Sequence, residues 1–145
     1  AIFHVQKELE ATGDAHNPAF VLCDRGTVDG LAYWPGPPGD FWTSTATTMD
    51  TELHRYDTVL HLRTPTADQG YNHQNPLRTE TALRAADVDA RILEAWQRHP
   101  HRHVIPSTGD FLEKATRTLD LLREELPACC ASHLDLNAAP TLPPT

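Results

Sequence analysis

The chain predicts an α/β domain of three layers, a parallel sheet between helices. Three observations predict it. Short apolar runs stop abruptly at polar or proline-containing turns, as strands buried on both faces do. Stretches with helical spacing separate these runs, so strands and helices alternate and the crossovers are right-handed. The first run, Ala19-Phe20-Val21-Leu22-Cys23, ends in Asp24-Arg25-Gly26. That puts charges at a strand's carboxyl end, the rim where open α/β sheets bind ligands.

The elements follow in order. Ile2 to Ala11 has helical spacing, with Ile2, Val5 and Leu9 in one apolar stripe and Phe3 beside it. Gln6 and Glu10 share another face at i, i+4. Gly13-Asp14 and Asn17-Pro18 form a loop. The first strand runs from Ala19 to Asp24, and Thr27 caps a helix to about Trp34 with Asp29 in its first turn. Pro35-Gly36-Pro37-Pro38-Gly39 breaks that helix. Asp40 caps a second, weak piece carrying Phe41, Trp42 and Met49, and Glu52 to Tyr56 reads as a short polar connection. Asp57 to Leu62 is the second strand, with His61 among apolar neighbours as a satisfied core or edge residue.

Thr64 to Asn75 is a long polar loop, the kind that is mobile or functional. Asn75-Pro76 opens a helix to about His99, with Leu83, Ala86, Leu93 and Trp96 on its apolar face. Arg84 and Arg91 share another face, which also reads as solvated beside Asp87, Asp89 and Glu94. Arg102 to Pro106 is a third strand and Ser107-Thr108-Gly109 its exit loop. Asp110 starts a last helix to Leu126, with Phe111, Leu112, Ala115, Leu119 and Leu122 facing inward. The domain covers 1–127, and 128–145 reads as a flexible tail.

Composition excludes several function classes. The formal net charge is −8, with nine histidines counted neutral. A nucleic-acid binder would show a basic face, and anionic membranes attract basic segments, so neither partner is expected. No apolar stretch is long enough to span a bilayer. Three cysteines make no disulfide framework, and a reducing, cytoplasmic setting is the simplest fit. Cys23 packs in its strand.

Asp24 and Arg25 are the best candidates for chemistry. A carboxylate at a strand end can hold a water of Mg²⁺ or take a proton from an attacking hydroxyl. An adjacent arginine can bind a transferring phosphoryl group, and Arg78 and Arg84 could close over the same charge. An ordinary surface ion pair explains Asp24 and Arg25 equally well. The phosphate-cradling motif G-x-x-x-x-G-K-[ST] is absent. His99, His101 and His103 form a second cluster, which would need Asp110 or His54 to complete a zinc site. No serine sits in a nucleophile elbow.

Taken together, V-L-C-D-R-G-T-V-D-G-L-A-Y-W, R-Y-D-T-V-L-H-L, N-P-L-R-T-E with A-x-x-V-D-A-R and W-Q-R-H-P, and V-I-P-S-T-G-D-F-L-E-K resemble, in that order, the AAA-domain P-loop nucleoside-kinase-like proteins, relatives of nicotinamide riboside kinases. The resemblance spans about residues 1–126. It implies a P-loop NTPase-type parallel sheet, ATP or GTP with Mg²⁺ as cofactors, and phosphoryl transfer to a small-molecule hydroxyl acceptor. It further implies that Asp24 is the catalytic or metal-side carboxylate, Arg25 its phosphate-facing neighbour and Asp29 a second acid near the acceptor. Arg78 and Arg84 match lid arginines, Ser107 and Thr108 the loop beside the nucleotide base, and Gln6 and Glu10 the substrate side. The family's first strand, phosphate loop and helix would all precede Ala1. The chain therefore reads as an N-terminally truncated domain, itself inactive, with a one-strand gap between Ala19–Asp24 and Asp57–Leu62. A non-catalytic nucleotide or phospho-ligand regulator is the alternative, and a metal-dependent hydrolase a further one.

Overall fold

A computed structural model describes residues 2–65, 82–107, 110–127 and Cys130. Within them the elements are α1 (Ile2–Asp14), α2 (Asp29–Ala32), α3 (Pro38–Thr45), α4 (Met49–Leu53), β1 (Val59–Leu62), α5 (Ala82–Ala95), β2 (Arg102–Ile105) and α6 (Phe111–Glu125). The two strands pair in parallel, Val59 opposite Arg102 through Leu62 opposite Ile105. The Val59 and Arg63 N–H groups donate to the His101 and Ile105 carbonyls, each at 2.9 Å. Alternate residues point their backbone the other way, so Leu60 and Leu62 turn their N–H and C=O groups to the free edge of β1. Among the described residues no strand pairs with that edge.

The core forms where α2 and α4 meet the crossover helix α5. Val28, Ala32, Leu53, Ile92, Ala95 and Trp96 are buried together. A second cluster is aromatic. Phe41 meets Phe3, Trp34 and Trp42 edge-on, at centroid distances of 5.8, 5.5 and 4.7 Å. Among the described residues no helix is long and apolar enough to cross a membrane.

Several sequence expectations hold. Asp110 caps α6, accepting from the Leu112 N–H at 2.8 Å. His61 is buried and satisfied, against Asp89 at 3.1 Å. The one-strand gap expected between Ala19–Asp24 and Asp57–Leu62 finds no second strand to bound it, since β1 pairs with β2 alone among the described residues.

Others are corrected. Ala19 to Asp24 is no strand, and Phe20, Val21 and Leu22 are 43, 41 and 62 % exposed. An apolar run becomes a strand only when a neighbour takes its backbone hydrogen bonds. Cys23 is likewise exposed rather than packed. Helix α1 buries Phe3 and Glu10 and leaves Ile2, Val5 and Leu9 outside, because its neighbours offer Arg55 and Tyr56 as partners for a carboxylate. Thr27 caps nothing. It is buried beneath the next turn, and α2 is a single turn preceded by Val28. Pro37, not Asp40, precedes α3, and Ala46 ends it in the left-handed region at φ 54°. Glu52 is no polar connection but a fully buried part of α4. Asp89 is buried on α5, not on a solvated face. Phe111 and Leu112 are exposed, the inner face of α6 starting one turn later. Arg78, Thr108, most of the Thr64–Asn75 loop and, Cys130 apart, the tail lie outside the described residues.

Candidate functional site

An open groove of about 1420 Å³ separates residues 18–26 from β1. Its floor is apolar, with Val59, Leu60, Val88, Ile92 and Leu122. Asp24, Arg25 and Asp29 border it on one side, His61, Thr64 and Asp89 on the other. Two polar clusters, one per side, shape its walls.

The first holds the Asp24-Arg25-Gly26 turn. Gly26 lies against the Trp96 and Tyr56 rings, where an added Cβ would stand 2.6 Å from Trp96 Cζ2 and 3.2 Å from Tyr56 Cζ. Only glycine fits so close an approach. Gln6 Nε2 donates to the Arg25 carbonyl at 2.6 Å. The Thr27 N–H donates to the Tyr56 hydroxyl at 2.7 Å, and Thr27 Oγ1 donates to Glu52 Oε2 at 2.9 Å. Trp96 Nε1 donates to Asp29 Oδ1 at 2.5 Å, while Asp29 Oδ2 stands 3.6 Å from Arg25.

Glu10 anchors this assembly, accepting from Gln6 and Tyr56 at 2.8 Å each and from Arg55. Burial pushes the Tyr56 phenol up to about 12. The hydrogen bond to Glu10 holds the Arg55 guanidinium above its ordinary value.

The second cluster sits where the chain leaves β1. Asp89 accepts from the Thr64 N–H at 3.1 Å and from Arg63 Nε at 2.6 Å, and His61 Nε2 lies 3.1 Å away. Lys114 Nζ donates to the Arg63 carbonyl at 2.6 Å. Partial burial pushes its amine down.

The anchors of the Asp24 turn, Tyr56 and Trp96, lead into β1 and β2, whereas Asp89 gathers the residues that leave β1. The structure therefore corrects the expectation of one shared carboxyl-end rim. Asp24 and Arg25 are together and both exposed, and no hydrogen bond or ion pair holds the Asp24 carboxylate among the described residues. Asp29 is committed to Trp96 and Arg25. Gln6 and Glu10 reach the turn from beneath. Arg84 lies exposed near the start of α5. Ser107 Oγ, at the exit of β2, is buried with no hydrogen-bond partner among the described residues. A buried hydroxyl in that state has an unmet bond.

The histidine cluster does not converge. His99 Nε2 meets the Tyr56 carbonyl at 2.8 Å, His103 Nε2 meets Glu125 at 3.2 Å, and His101 is exposed. Among the described residues no three histidine, cysteine or acidic side chains come close enough to hold a metal ion.

Sequence reasoning missed Glu52, Tyr56 and Asp89 as parts of the site. The signal available for Tyr56 was its place four residues after Glu52 and just before a strand. For Asp89 it was the regular apolar face that puts it between Val88 and Ile92.

A profile described as AAA domain matches residues 1–114. The chain belongs to the AAA domain family. The family implies a P-loop NTPase fold, a nucleotide-binding domain whose members generally use Mg²⁺. The α/β arrangement and parallel strand pair agree with it. No curated protein and no solved structure gives a significant match.

The residues fit these groups unequally. Mg²⁺ is commonly held by one or two carboxylates with waters and phosphates, and the unpartnered Asp24 suits it. Arg25, 57 % exposed, suits a phosphate. Neither lysine does. Lys7 faces Glu52 at 3.7 Å and the Phe3 ring at 5.7 Å, and Lys114 is held on a carbonyl.

Proposed function

We propose that this AAA domain is the catalytic face of a small-molecule kinase, transferring the γ-phosphoryl group of ATP or GTP to a hydroxyl acceptor. The observation that carries this is the clamped turn. It offers an unpartnered carboxylate and a half-free guanidinium side by side on a groove wall, while every other acid of the turn is engaged. Asp24 takes the acceptor's proton and contacts the Mg²⁺ shell. Arg25 faces the phosphoryl group. Arg78 and Arg84 serve as lid arginines, and Ser107 with Thr108 lies beside the base, where the unmet Ser107 hydroxyl supports the reading. Bound nucleotide supplies the phosphoryl group and Mg²⁺ the charge neutralisation.

A strand and phosphate loop seated along the groove complete the three-layer sheet in this reading. Two features support it. The Leu60 and Leu62 N–H and C=O groups turn to an edge of β1 with which no strand pairs among the described residues. And both lysines of the chain are engaged elsewhere. A reducing, cytoplasmic setting is part of this reading, since three cysteines make no disulfide framework. The second reading, a nucleotide or phospho-ligand regulator without turnover, draws on the missing G-x-x-x-x-G-K-[ST] motif in these residues.

The test is Asp24→Asn in a protein that includes the phosphate loop. Turnover should fall about 10²–10⁴-fold with nucleotide affinity nearly unchanged, because a proton acceptor acts chiefly in the transition state. Unchanged turnover would make Asp24 an ordinary solvated acid, and no turnover in the wild type would favour the regulator.

A further inference from the structure

We infer that Tyr56, acting with Glu10 and Gln6, is the positioning residue of the Asp24-Arg25 turn. This rests on the reading of Asp24 as the proton acceptor. None of the three touches the Asp24 carboxylate among the described residues. They act on the backbone on both sides of Gly26.

The geometry is that of a clamp. Gln6 Nε2 donates to the carbonyl just before Gly26, and the Tyr56 hydroxyl accepts the N–H just after it. Both holders converge on one oxygen, Glu10 Oε1, at 2.8 Å each. The Tyr56 proton is directed to a carboxylate, so the hydroxyl's lone pairs are left to the Thr27 N–H. Glu10 is fixed in turn by Arg55, which also reaches Glu52 at 3.4 Å. Glu52 closes the circuit by accepting from Thr27 and from Thr47, at 2.9 and 2.7 Å. Two segments far apart in sequence, 6–10 and 47–56, thus hold a single turn.

A turn held only by its own hydrogen bonds samples several conformations. One held from beneath by partly buried, mutually bonded groups keeps its side chains within a narrow range of positions, which proton transfer requires. The clamp also explains why Asp24 needs no partner of its own to be placed.

Two variants test this. Tyr56→Phe keeps the ring against Trp96, centroids 5.1 Å apart, and removes only the hydroxyl. Amide hydrogen exchange on the 145-residue chain should then show the Thr27 N–H exchanging about tenfold faster, the loss of one hydrogen bond. The Trp96 backbone N–H, bonded to the Ile92 carbonyl just past the end of α5, serves as the unchanged control. Gln6→Ala removes a partly exposed side chain and should leave the melting temperature unaltered. In a protein including the phosphate loop, either variant should lower kcat about tenfold with KM for nucleotide within about twofold, the split expected of misplacement rather than lost binding.

An unchanged Thr27 exchange rate in Tyr56→Phe overturns the clamp. Faster exchange with kcat unchanged in both variants overturns its positioning role. Unaltered turnover in Asp24→Asn refutes the functional reading and the positioning role with it, while the Thr27 exchange rate still reports on the clamp alone.

Discussion

Two stretches of five residues share a border at Asp24 and could hardly be held more differently. Ala19–Cys23 is apolar, and its side chains lie open on a groove wall with no ladder among the described residues. Arg25–Asp29 is half polar, yet it contains Val28 and Thr27, at 0 and 1 % exposure. The second stretch is fixed by named partners, Gln6, Tyr56, Glu52 and Trp96, from three parts of the chain. Composition alone would rank them the other way. What secures a segment is the set of groups facing it, and a carboxylate surrounded by donors is as good a neighbour as a leucine beside leucines.

Breaking the well-held side should have the largest effect. Trp96→Ala removes a core ring, the support of Gly26 and the donor to Asp29 at one stroke. It should cost about 3–5 kcal/mol, read from chemical denaturation. A loss below about 1 kcal/mol would mean the turn is held elsewhere.

Next comes Gly26→Ala. Its Cβ would overlap the Trp96 ring, so the turn must lift, at about 1–3 kcal/mol with Asp24-dependent turnover lost as well. An alanine accepted without loss of stability would show that Gly26 has room.

A smaller effect concerns pH. The Tyr56 phenol is pushed up to about 12 by burial, above the value of an unfolded tyrosine near 10. The folded state keeps this proton longer than the unfolded state. Its contribution is complete below pH about 10 and is lost as pH rises through about 12. Stability followed from pH about 9 to 12 should fall, and Tyr56→Phe should flatten that fall. An identical slope in the variant would assign it to other groups. The contribution is modest, because the phenol is partly open to solvent.

The smallest effect belongs to the bare side. Leu22→Ala should change the stability of this chain by no more than about 0.5 kcal/mol, since the side chain is 62 % exposed. A cost of about 2 kcal/mol or more would mean that Leu22 packs against something, and would undo the contrast.

The same contrast explains how much the sequence disclosed. The second and third strands were readable from V-L-H-L and R-H-V-I, and α6 from Asp110 before a periodic stretch, because local chemistry and burial agree there. The Asp24-Arg25 pair stood out as charge after an apolar run. Glu10, Glu52 and Asp89 did not, since a buried carboxylate looks in sequence like any surface acid. Its burial depends on donors 25 to 46 residues away. The Ile2, Val5 and Leu9 stripe misled for the converse reason, as periodicity marks an apolar face without saying what faces it. Ala19–Cys23 carried the signature of a strand, but the neighbour that would make it one is not among the described residues.

The clamp also bears on the order in which the chain folds. Glu10 meets Tyr56 across 46 positions, and Trp96 meets Asp29 across 67. Loops of that size close at an entropic cost that local helices do not incur, so contacts of this kind form after α1 and α5 have gained their shape. Interactions absent from the folding transition state act mainly on the rate of opening. Damage to Tyr56 should therefore quicken unfolding and leave refolding at nearly the same speed. The turn that presents Asp24 would be the last part of the domain to set.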